Sequence, residues 1–322
     1  MIEKSIFFDK DIYIYGTGKR GKRLFSIFQN NGIRVSGFIV SDDYYENDIC
    51  MSGKVQSMTV FLEKENLNNV LILVAVSEKY FLDIEKMLEK QSLKYLYVTE
   101  EYCKEICRTI SPVEDNKILL STKPKSIYFG FDRGQPIDRY FIRKFVNKYC
   151  KELRDVQKVL EVGENKYSQE FFGSRNVKKD ILVYPEMDLT KESSLPANTY
   201  DLFIATQVFN FIYDFKSAIK GAKYLLKNGG TLIATCGGNI SQISWADANN
   251  YGDYWRFTIF SLKRIFEEQG WKKVEIEGFG NAAIATAFIQ GLAVEDLPDK
   301  SILEEYEKGY EICIGIRAVK EI

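Results

Sequence analysis

The strongest constraint on the fold is a pattern that occurs twice along the chain. Short runs of apolar residues alternate with helix-like segments, first from residue 11 and again from residue 126. Continuous apolar runs are typical of parallel strands buried on both faces, with helices as the connections. The chain has 322 residues, which is long for one compact domain. We therefore predict an α/β fold with two domains, each built on a mostly parallel sheet.

The boundary between the two domains is predicted within the segment RTISPVEDNKILLSTKPK, residues 108 to 125. Two prolines, Pro112 and Pro124, interrupt any regular structure there. We place the boundary near residue 113, which gives domains at 1–113 and 114–322.

Composition excludes several classes of function. The formal net charge of −1 leaves no basic field to attract nucleic acid. No apolar run reaches the roughly 18 to 20 residues that a membrane span needs. The first residues, MIEKSIFFDKDIYIYG, lack the apolar core and cleavage site of an export signal, so we expect a cytoplasmic protein.

The titratable and sulfur-containing residues limit the chemistry. Histidine is absent, so the side chain best suited to proton transfer near neutral pH is missing. The six cysteines are scattered, and no second pair matches Cys103 and Cys107. We expect reduced, structural cysteines and no metal site.

A glycine motif follows the first predicted strand, DIYIYG. Gly16, Gly18 and Gly21 form G-x-G-x-x-G before a helix-like segment, and Asp42 ends the next strand about two dozen residues on. This is the spacing of a dinucleotide fingerprint, in which an acid binds a ribose hydroxyl. The alternative is that the glycines only allow a helix to pack close to a strand.

Residues 10 to 100 resemble the N-terminal nucleotide-binding unit of bacterial sugar-modifying acetyltransferases, through GTGKRGKRL, GFIVSDD and ILVAV. The resemblance implies a Rossmann-like domain that binds a nucleotide or nucleotide sugar at Gly16, Gly18, Gly21 and Asp42. A dehydrogenase is less well supported, because no residue nearby offers a hydride-transfer site.

Residues 126 to 322 resemble the class I S-adenosylmethionine-dependent methyltransferases, of a type 11-like group. The resemblance rests on LEVG at 160–163, MDLT at 187–190 and LLKNGGTLIAT at 225–235. A closer likeness is to methyltransferases encoded beside glycosyltransferases in bacterial surface-polysaccharide clusters, through RGQPIDRYFI, TQVFNFIYD, GDYWRFT and GFGNAAIATAFIQGLA. It implies a second Rossmann-like domain with one antiparallel strand and S-adenosylmethionine as the cofactor.

The resemblance assigns the cofactor site by position. One glycine is enough at the first strand, because S-adenosylmethionine has no phosphates, and a carboxylate beside it suits the cationic ligand. Asp180 is assigned to the ribose, with Glu186 as its rival because the interval to Asp188 is short. For Glu161 and Asp188 the alternative is a capping or turn acid. The expected cofactor residues are Glu161, Val162, Gly163, Asp180, Asp188, Leu189 and Gln207.

The acceptor side is predicted in the polar and aromatic segment after TLIATCGG. Aromatic faces suit a sugar ring and arginine suits a carboxylate or phosphate, so Asp253, Tyr254 and Arg256 are the expected catalytic residues. Asp253 is the first choice as general base and Asp247 the second. The alternative is that Arg256 simply pairs with an acid. Further candidates for the acceptor side are Arg133, Arg139 and Asn281.

The whole chain is therefore expected to be a methyltransferase that modifies a sugar hydroxyl or another glycan-linked group in surface-polysaccharide synthesis. The alternative is a non-catalytic protein that keeps the fold and binds a nucleotide sugar. The expected partner is a small-molecule or glycan acceptor, without nucleic acid or a membrane span. The sequence does not determine the oligomeric state, and a homo-oligomer is compatible with it.

Overall fold

A computed structural model of the chain describes residues 4–7, 9–46, 49–63, 67–111 and 121–321. The chain divides into two compact units, Met1–Ser126 with Phe131–Gly134, and Ile127–Gly130 with Gln135–Ile322. The predicted boundary near residue 113 lies outside the described residues. Both units are α/β, and each contains one Rossmann-like sheet of mostly parallel strands, as the alternating pattern predicts.

The first unit contains a six-stranded sheet in the order β3-β4-β2-β1-β5-β6. All neighbouring strands pair in parallel except β3, which is antiparallel to β4. The strands β1, β2, β5 and β6 contain apolar runs that the sequence pattern predicts, whereas β3 has two residues and β4, with the sequence GKVQS, is mostly polar. The elements are β1 Asp11–Tyr15, α1 Lys19–Asn30, β2 Val35–Val40, β3 Ile49–Cys50, β4 Gly53–Ser57, α2 Met58–Leu62, β5 Val70–Val74, α3 Glu78–Lys90, β6 Tyr95–Tyr97 and α4 Glu100–Ile110.

Apolar side chains cover both faces of this first sheet. One cluster packs α1 and α4 against one face, and a second packs α3 against the other. Residues Cys103 and Cys107 lie buried on α4 within the first cluster. Apolar side chains on both faces of the strands, such as Ile12 and Tyr13 of β1, allow helices to pack on both sides of the sheet.

The second unit also contains a six-stranded sheet, in the order β11-β12-β10-β9-β7-β8. β12 is antiparallel to both of its neighbours, whereas the other pairs are parallel, which confirms the predicted antiparallel strand. The elements are α5 Ile137–Glu152, β7 Lys158–Val162, α6 Lys166–Phe172, β8 Lys178–Leu182, β9 Tyr200–Thr206, α7 Phe215–Leu225, β10 Leu226–Gly237, α8 Trp245–Tyr251, α9 Ile259–Glu268, β11 Lys273–Phe279, α10 Ala282–Ile289 and β12 Cys313–Val319.

Two local features position the carboxyl edge of this second sheet. Between β8 and β9 the chain forms no α-helix, and one 3-10 turn, Glu192–Ser194, stands in its place. On one face, α5 approaches β12 closely, because a Cβ on Gly315 would lie 2.5 Å from the Phe145 ring. The start of α5 is therefore held near the start of β12.

Within the residues that the structure describes, no helix has the length and apolar character that crossing a membrane requires.

Candidate active site

Gly163 follows β7 and opens the carboxyl edge of the second sheet. Its φ of +76° lies in the left-handed region, where glycine is favoured. A Cβ built on this residue would meet no heavy atom within 4 Å, so one side of the backbone faces open space. The Gly163 N–H donates to the Leu182 carbonyl at 2.9 Å, which fixes the turn against β8. The turn is thus rigid and accessible to a ligand.

Glu161 lies just before this turn, and its carboxylate supports the following helix. The two oxygens accept the backbone N–H groups of Tyr167 at 3.0 Å and Ser168 at 2.7 Å. Burial raises the pKa of this carboxyl, although the N–H donors oppose the rise. The geometry favours the capping alternative over direct contact with a cationic ligand. The neighbouring Val162 packs against the apolar core.

Asp180 lies in the middle of β8, and its carboxylate is engaged away from the carboxyl edge. It pairs with Lys158 at 3.1 Å and accepts from the Tyr200 hydroxyl at 3.2 Å. Burial acts to raise the pKa of Asp180, but the Lys158 hydrogen bond and charge outweigh it, so the pKa is lowered. Because Lys158 and Tyr200 each begin a strand, Asp180 faces the amino end. The exposed Glu186, in the turn after β8, is the better candidate for a ribose contact.

Asp188 and Leu189 form a tight turn after that segment. The Asp188 Oδ1 atom accepts the backbone N–H and the hydroxyl of Thr190, at 2.9 and 2.7 Å, and Oδ2 pairs with Lys191 at 3.1 Å. Leu189 is buried, and its carbonyl lies 2.0 Å from where a Cβ on Gly221 would stand. Gly221 therefore allows the turn to approach α7. For Asp188 also, the side chain is engaged as a turn acid.

Gln207 ends β9 with a φ of +54°, an unusual backbone for a residue with a side chain. Its backbone N–H donates to the Thr235 carbonyl at 2.8 Å, and its Nε2 atom lies 3.8 Å from the Cys313 Sγ. The side chain thus spans the ends of β9 and β12. Local backbone strain of this kind occurs frequently at functional sites.

Asp253 and Arg256 form a pair that holds together the loop after β10. Arg256 donates from both terminal nitrogens to both Asp253 oxygens, at 2.6 and 2.9 Å. The Ser244 N–H donates to the same carboxylate at 2.9 Å, and 1% of the Asp253 side chain is exposed. Burial acts to raise the pKa of Asp253, but the Arg256 hydrogen bond outweighs it and the pKa is lowered. A carboxylate whose charge is paired with an arginine is a poor proton acceptor. The geometry therefore favours the alternative in which Asp253 pairs with Arg256 over the prediction that Asp253 is the general base.

Exposed aromatic rings surround this loop. The Tyr254 side chain is 51% exposed, and its ring covers the face of Gly252, where a Cβ would lie 2.2 Å from the ring. Tyr213, 71% exposed, packs edge-on against Tyr254 with centroids 5.3 Å apart. Trp245 at the start of α8 is also 71% exposed. Such rings present faces that suit the apolar side of a sugar.

The other acceptor-side candidates have structural partners. Asn281 caps α10 through Ile284 N–H, and its amide donates to two carbonyls, of Ile302 and Glu305. The exposed Asp247 accepts from the Ser244 hydroxyl at 2.6 Å. Arg133 belongs to the first unit and donates to the Ser111 carbonyl at 2.9 Å. None of these contacts indicates an acceptor site.

Asp138, which the sequence analysis did not single out, lies in the first turn of α5 next to Arg139. Burial acts to lower the pKa of Arg139, but the charge of Asp138 and, on α6, Tyr167 outweigh it, so the Arg139 pKa is raised. Burial raises the pKa of Asp138, and the Asp138 charge in turn raises the pKa of Tyr167 and Cys313. An acid in the first turn of a helix is ordinary, because the helix dipole favours it, and this hid its role. The sequence signal for Asp138 was its position within RGQPIDRYFI, one of the segments that resemble surface-polysaccharide methyltransferases.

The glycine motif of the first unit has mixed roles. A Cβ on Gly21 would lie 2.0 Å from the Gly16 carbonyl oxygen, so this glycine serves close packing of α1 on β1. Gly16 itself has a φ of +105°. A Cβ on Gly18 would meet nothing within 4 Å. The Asp42 carboxylate accepts the N–H and hydroxyl of Thr59, at 3.2 and 2.8 Å, and so supports the start of α2.

One family model matches a part of the second unit. Residues 146–234 match the family model described as "Methyltransferase domain". The matched range runs from α5 to β10 and includes Gly163, Asp188 and Gln207. No curated protein matches the chain.

Solved structures similar to this chain include two methyltransferases. A SAM-dependent methyltransferase from Archaeoglobus fulgidus is 14% identical, with a TM-score of 0.37, and the match covers 56% of this chain and 98% of that one. The N-methyltransferase NodS from Bradyrhizobium japonicum is 14% identical, with a TM-score of 0.35, covering 58% and 98%.

The second unit therefore contains a methyltransferase domain, and the methyl donor that this implies is S-adenosylmethionine. The residues present fit such a ligand. Gly163 leaves open space at the carboxyl end of β7, where ligands of open α/β sheets bind. Gly163 and Gln207, at the ends of β7 and β9, would hold the ligand, with the turn at Asp188 beyond β8.

Proposed function

We propose that the second unit transfers a methyl group from S-adenosylmethionine to a hydroxyl of a sugar or glycan-linked group, in the synthesis of a bacterial surface polysaccharide. The observation that carries the transfer itself is the open, left-handed Gly163 turn within the matched range. The exposed Tyr213, Tyr254 and Trp245 rings support a sugar as acceptor. When bound, the cofactor supplies a methyl group activated by a sulfonium.

The chain's own residues would position the acceptor. The Asp253–Arg256 pair fixes the loop, because Arg256 also donates to the Ser241 and Trp255 carbonyls, at 3.2 and 2.8 Å. This holds the Tyr254 ring at one place beside the carboxyl edge. Holding two reactants in line supplies much of the rate enhancement of a displacement reaction.

The first test is calorimetric titration with S-adenosylmethionine and S-adenosylhomocysteine of the wild type and of Gly163→Ala. The added methyl group enters the open space where the ligand would lie, so we expect an affinity loss of about tenfold or more. Gly229→Ala is the matched control, because Gly229 has a φ of +80° and equally open surroundings near the start of β10.

Both variants should lose a similar stability, about 1 kcal/mol, because both place alanine at a positive φ. Only Gly163→Ala should weaken the ligand. Equal affinity in the two variants would remove Gly163 from the site. No binding of either ligand to the wild type would contradict the proposed function and favour the non-catalytic alternative.

Asp188→Ala tests the turn beyond β8. Removing the carboxylate leaves the Thr190 N–H and hydroxyl without their acceptor, so the turn should loosen and S-adenosylhomocysteine affinity should fall, by roughly threefold to tenfold. The measurement is the same titration. An unchanged affinity would show that this turn lies outside the site.

The acceptor is tested by transfer of a labelled methyl group to nucleotide sugars and to free glycans. Label in a sugar would support the proposed acceptor class, and label only in other small molecules would contradict it. For the first unit, we propose a nucleotide or nucleotide-sugar ligand near Gly18, supported by its open surroundings. Titration with nucleotide sugars of wild type and Gly18→Val tests this separately.

A further inference from the structure

Asp138 lies where three elements of the second unit meet. It begins α5, Tyr167 lies in the first turn of α6, and Cys313 begins β12. The Asp138 charge acts on both Tyr167 and Cys313, which requires that it lie near each of them. Because Cys313 is also within 3.8 Å of the Gln207 amide, the carboxylate lies toward the end of β9. This is the same edge of the sheet as Gly163.

The Asp138 carboxylate keeps an oxygen that the protein does not use. Oδ1 accepts the backbone N–H of Arg139 at 2.8 Å, and Oδ2 is 3.9 Å from the Arg139 Nε. Among the described residues, the donors that reach this carboxylate are the backbone N–H groups of Arg139 and of Asp138 itself. Solvent reaches 14% of the side chain even though burial dominates its electrostatics, which is typical of a side chain that lines a concave site.

Three other acids of the site are engaged on both oxygens. Glu161 accepts two backbone N–H groups, Asp188 binds Thr190 and Lys191, and Asp253 is paired with Arg256. A carboxylate in such contacts loses them when it takes a proton, which opposes protonation, although burial still raises the pKa of Glu161.

The remaining titratable groups beside Asp138 do not suit proton acceptance near neutral pH. Burial raises the pKa of Tyr167 to about 12, and burial raises that of Cys313 as well. Arg139 is cationic, and the chain has no histidine.

We propose that Asp138 is the proton acceptor for methyl transfer, an assignment that rests on the function proposed above. Its Oδ2 takes the proton of the acceptor hydroxyl as the hydroxyl oxygen bonds to the methyl carbon and the carbon–sulfur bond breaks. The products are a methyl ether, neutral S-adenosylhomocysteine and protonated Asp138, which returns the proton to solvent. Arg139 positions the carboxylate and favours its ionised form.

The experiment compares the affinities for S-adenosylmethionine and S-adenosylhomocysteine by calorimetry across the whole pH range in which the protein stays folded. Only the first ligand carries the sulfonium charge. As pH rises through the raised pKa of Asp138, its new negative charge should favour the cation, and the affinity ratio should increase about threefold to tenfold. The variants are Asp138→Asn and, as a control on the same helix, Glu152→Gln, since Glu152 is exposed at the far end of α5.

The expected result is a ratio that rises with pH in the wild type and in Glu152→Gln, and a flat ratio in Asp138→Asn. Glu161 also has a raised pKa, so a rise that persists in Asp138→Asn assigns the effect elsewhere and overturns the inference. A flat ratio in the wild type overturns it too. Failure of the wild type to bind either ligand instead contradicts the proposed function itself.

With an acceptor from the labelled-methyl screen, Asp138→Asn should lower kcat by about 100-fold or more, whereas KM for the cofactor should rise only about threefold to tenfold because the charge that favours the sulfonium is gone. Asp138→Glu should restore part of kcat, because it returns a carboxylate. A kcat in Asp138→Asn within a fewfold of wild type would remove Asp138 from the proton transfer.

Discussion

Asp138 and Asp253 each stand close to an arginine in the second unit, yet the two carboxylates are in opposite electrostatic states. Asp253 shares two short hydrogen bonds with Arg256 and has a lowered pKa. Asp138 lies 3.9 Å from the Arg139 Nε, without such a fork, and has a raised pKa. Burial acts to raise the pKa of both carboxyls, and the Arg256 fork outweighs it at Asp253, whereas the more distant Arg139 does not outweigh it at Asp138.

The largest expected effect is on stability in Asp253→Asn. The amide cannot accept both Arg256 donors and the Ser244 N–H, so a buried cation is left poorly paired and the free energy of unfolding should fall by roughly 2 kcal/mol at neutral pH. Because the folded pKa is lowered, this stabilisation is present above the unfolded pKa and is lost as pH falls through the folded value. Urea unfolding at neutral pH and at about pH 3 should show the difference between variant and wild type shrinking in acid. A constant difference would contradict the pairing.

A smaller effect, of opposite sign, is expected for Asp138→Asn. Its folded pKa is raised, so the folded state loses stability as pH rises from the unfolded to the folded value, and the ionised carboxylate is a cost at neutral pH. The amide removes that cost, so the variant should unfold at an equal or higher urea concentration than wild type. The free energy of unfolding should rise by up to about 1 kcal/mol. A clear loss of stability would mean that Asp138 holds the fold together, and the contrast with Asp253 would fail.

Much of the fold could be predicted because β9, β10 and β12 each contain an apolar run, whereas β8, with the sequence KKDIL, is mostly charged. The sites of Gly163 and Gln207 followed from their positions at strand ends. The direction of the Asp180 carboxylate along β8 could not be predicted, because strand periodicity gives the face of the sheet and not the end toward which a side chain points. Its ion pair with Lys158 sets that direction.

The Asp138 cluster was beyond local sequence signals for a different reason. Its members come from α5, α6 and β12, which are distant along the chain and meet only when β12 inserts beside β10. By contrast, the pairing of Asp253 with Arg256 is local, and the sequence already offered it as the alternative for Arg256. The glycines of the first unit were equally ambiguous in sequence, since only the structure separates Gly21, which packs, from Gly18, which faces open space.

The Asp253–Arg256 pair also bears on which part of the second unit can change. Its hydrogen bonds reach Ser241 and Ser244 on the incoming side of the loop, and so close the loop at its base. The chain therefore returns toward α9 through contacts outside residues 245–252, which lie between the two ends of the loop. If the loop binds the acceptor as proposed, changes of length or composition in residues 245–252 would alter which acceptor is recognised and leave the residues proposed to hold the methyl donor unchanged.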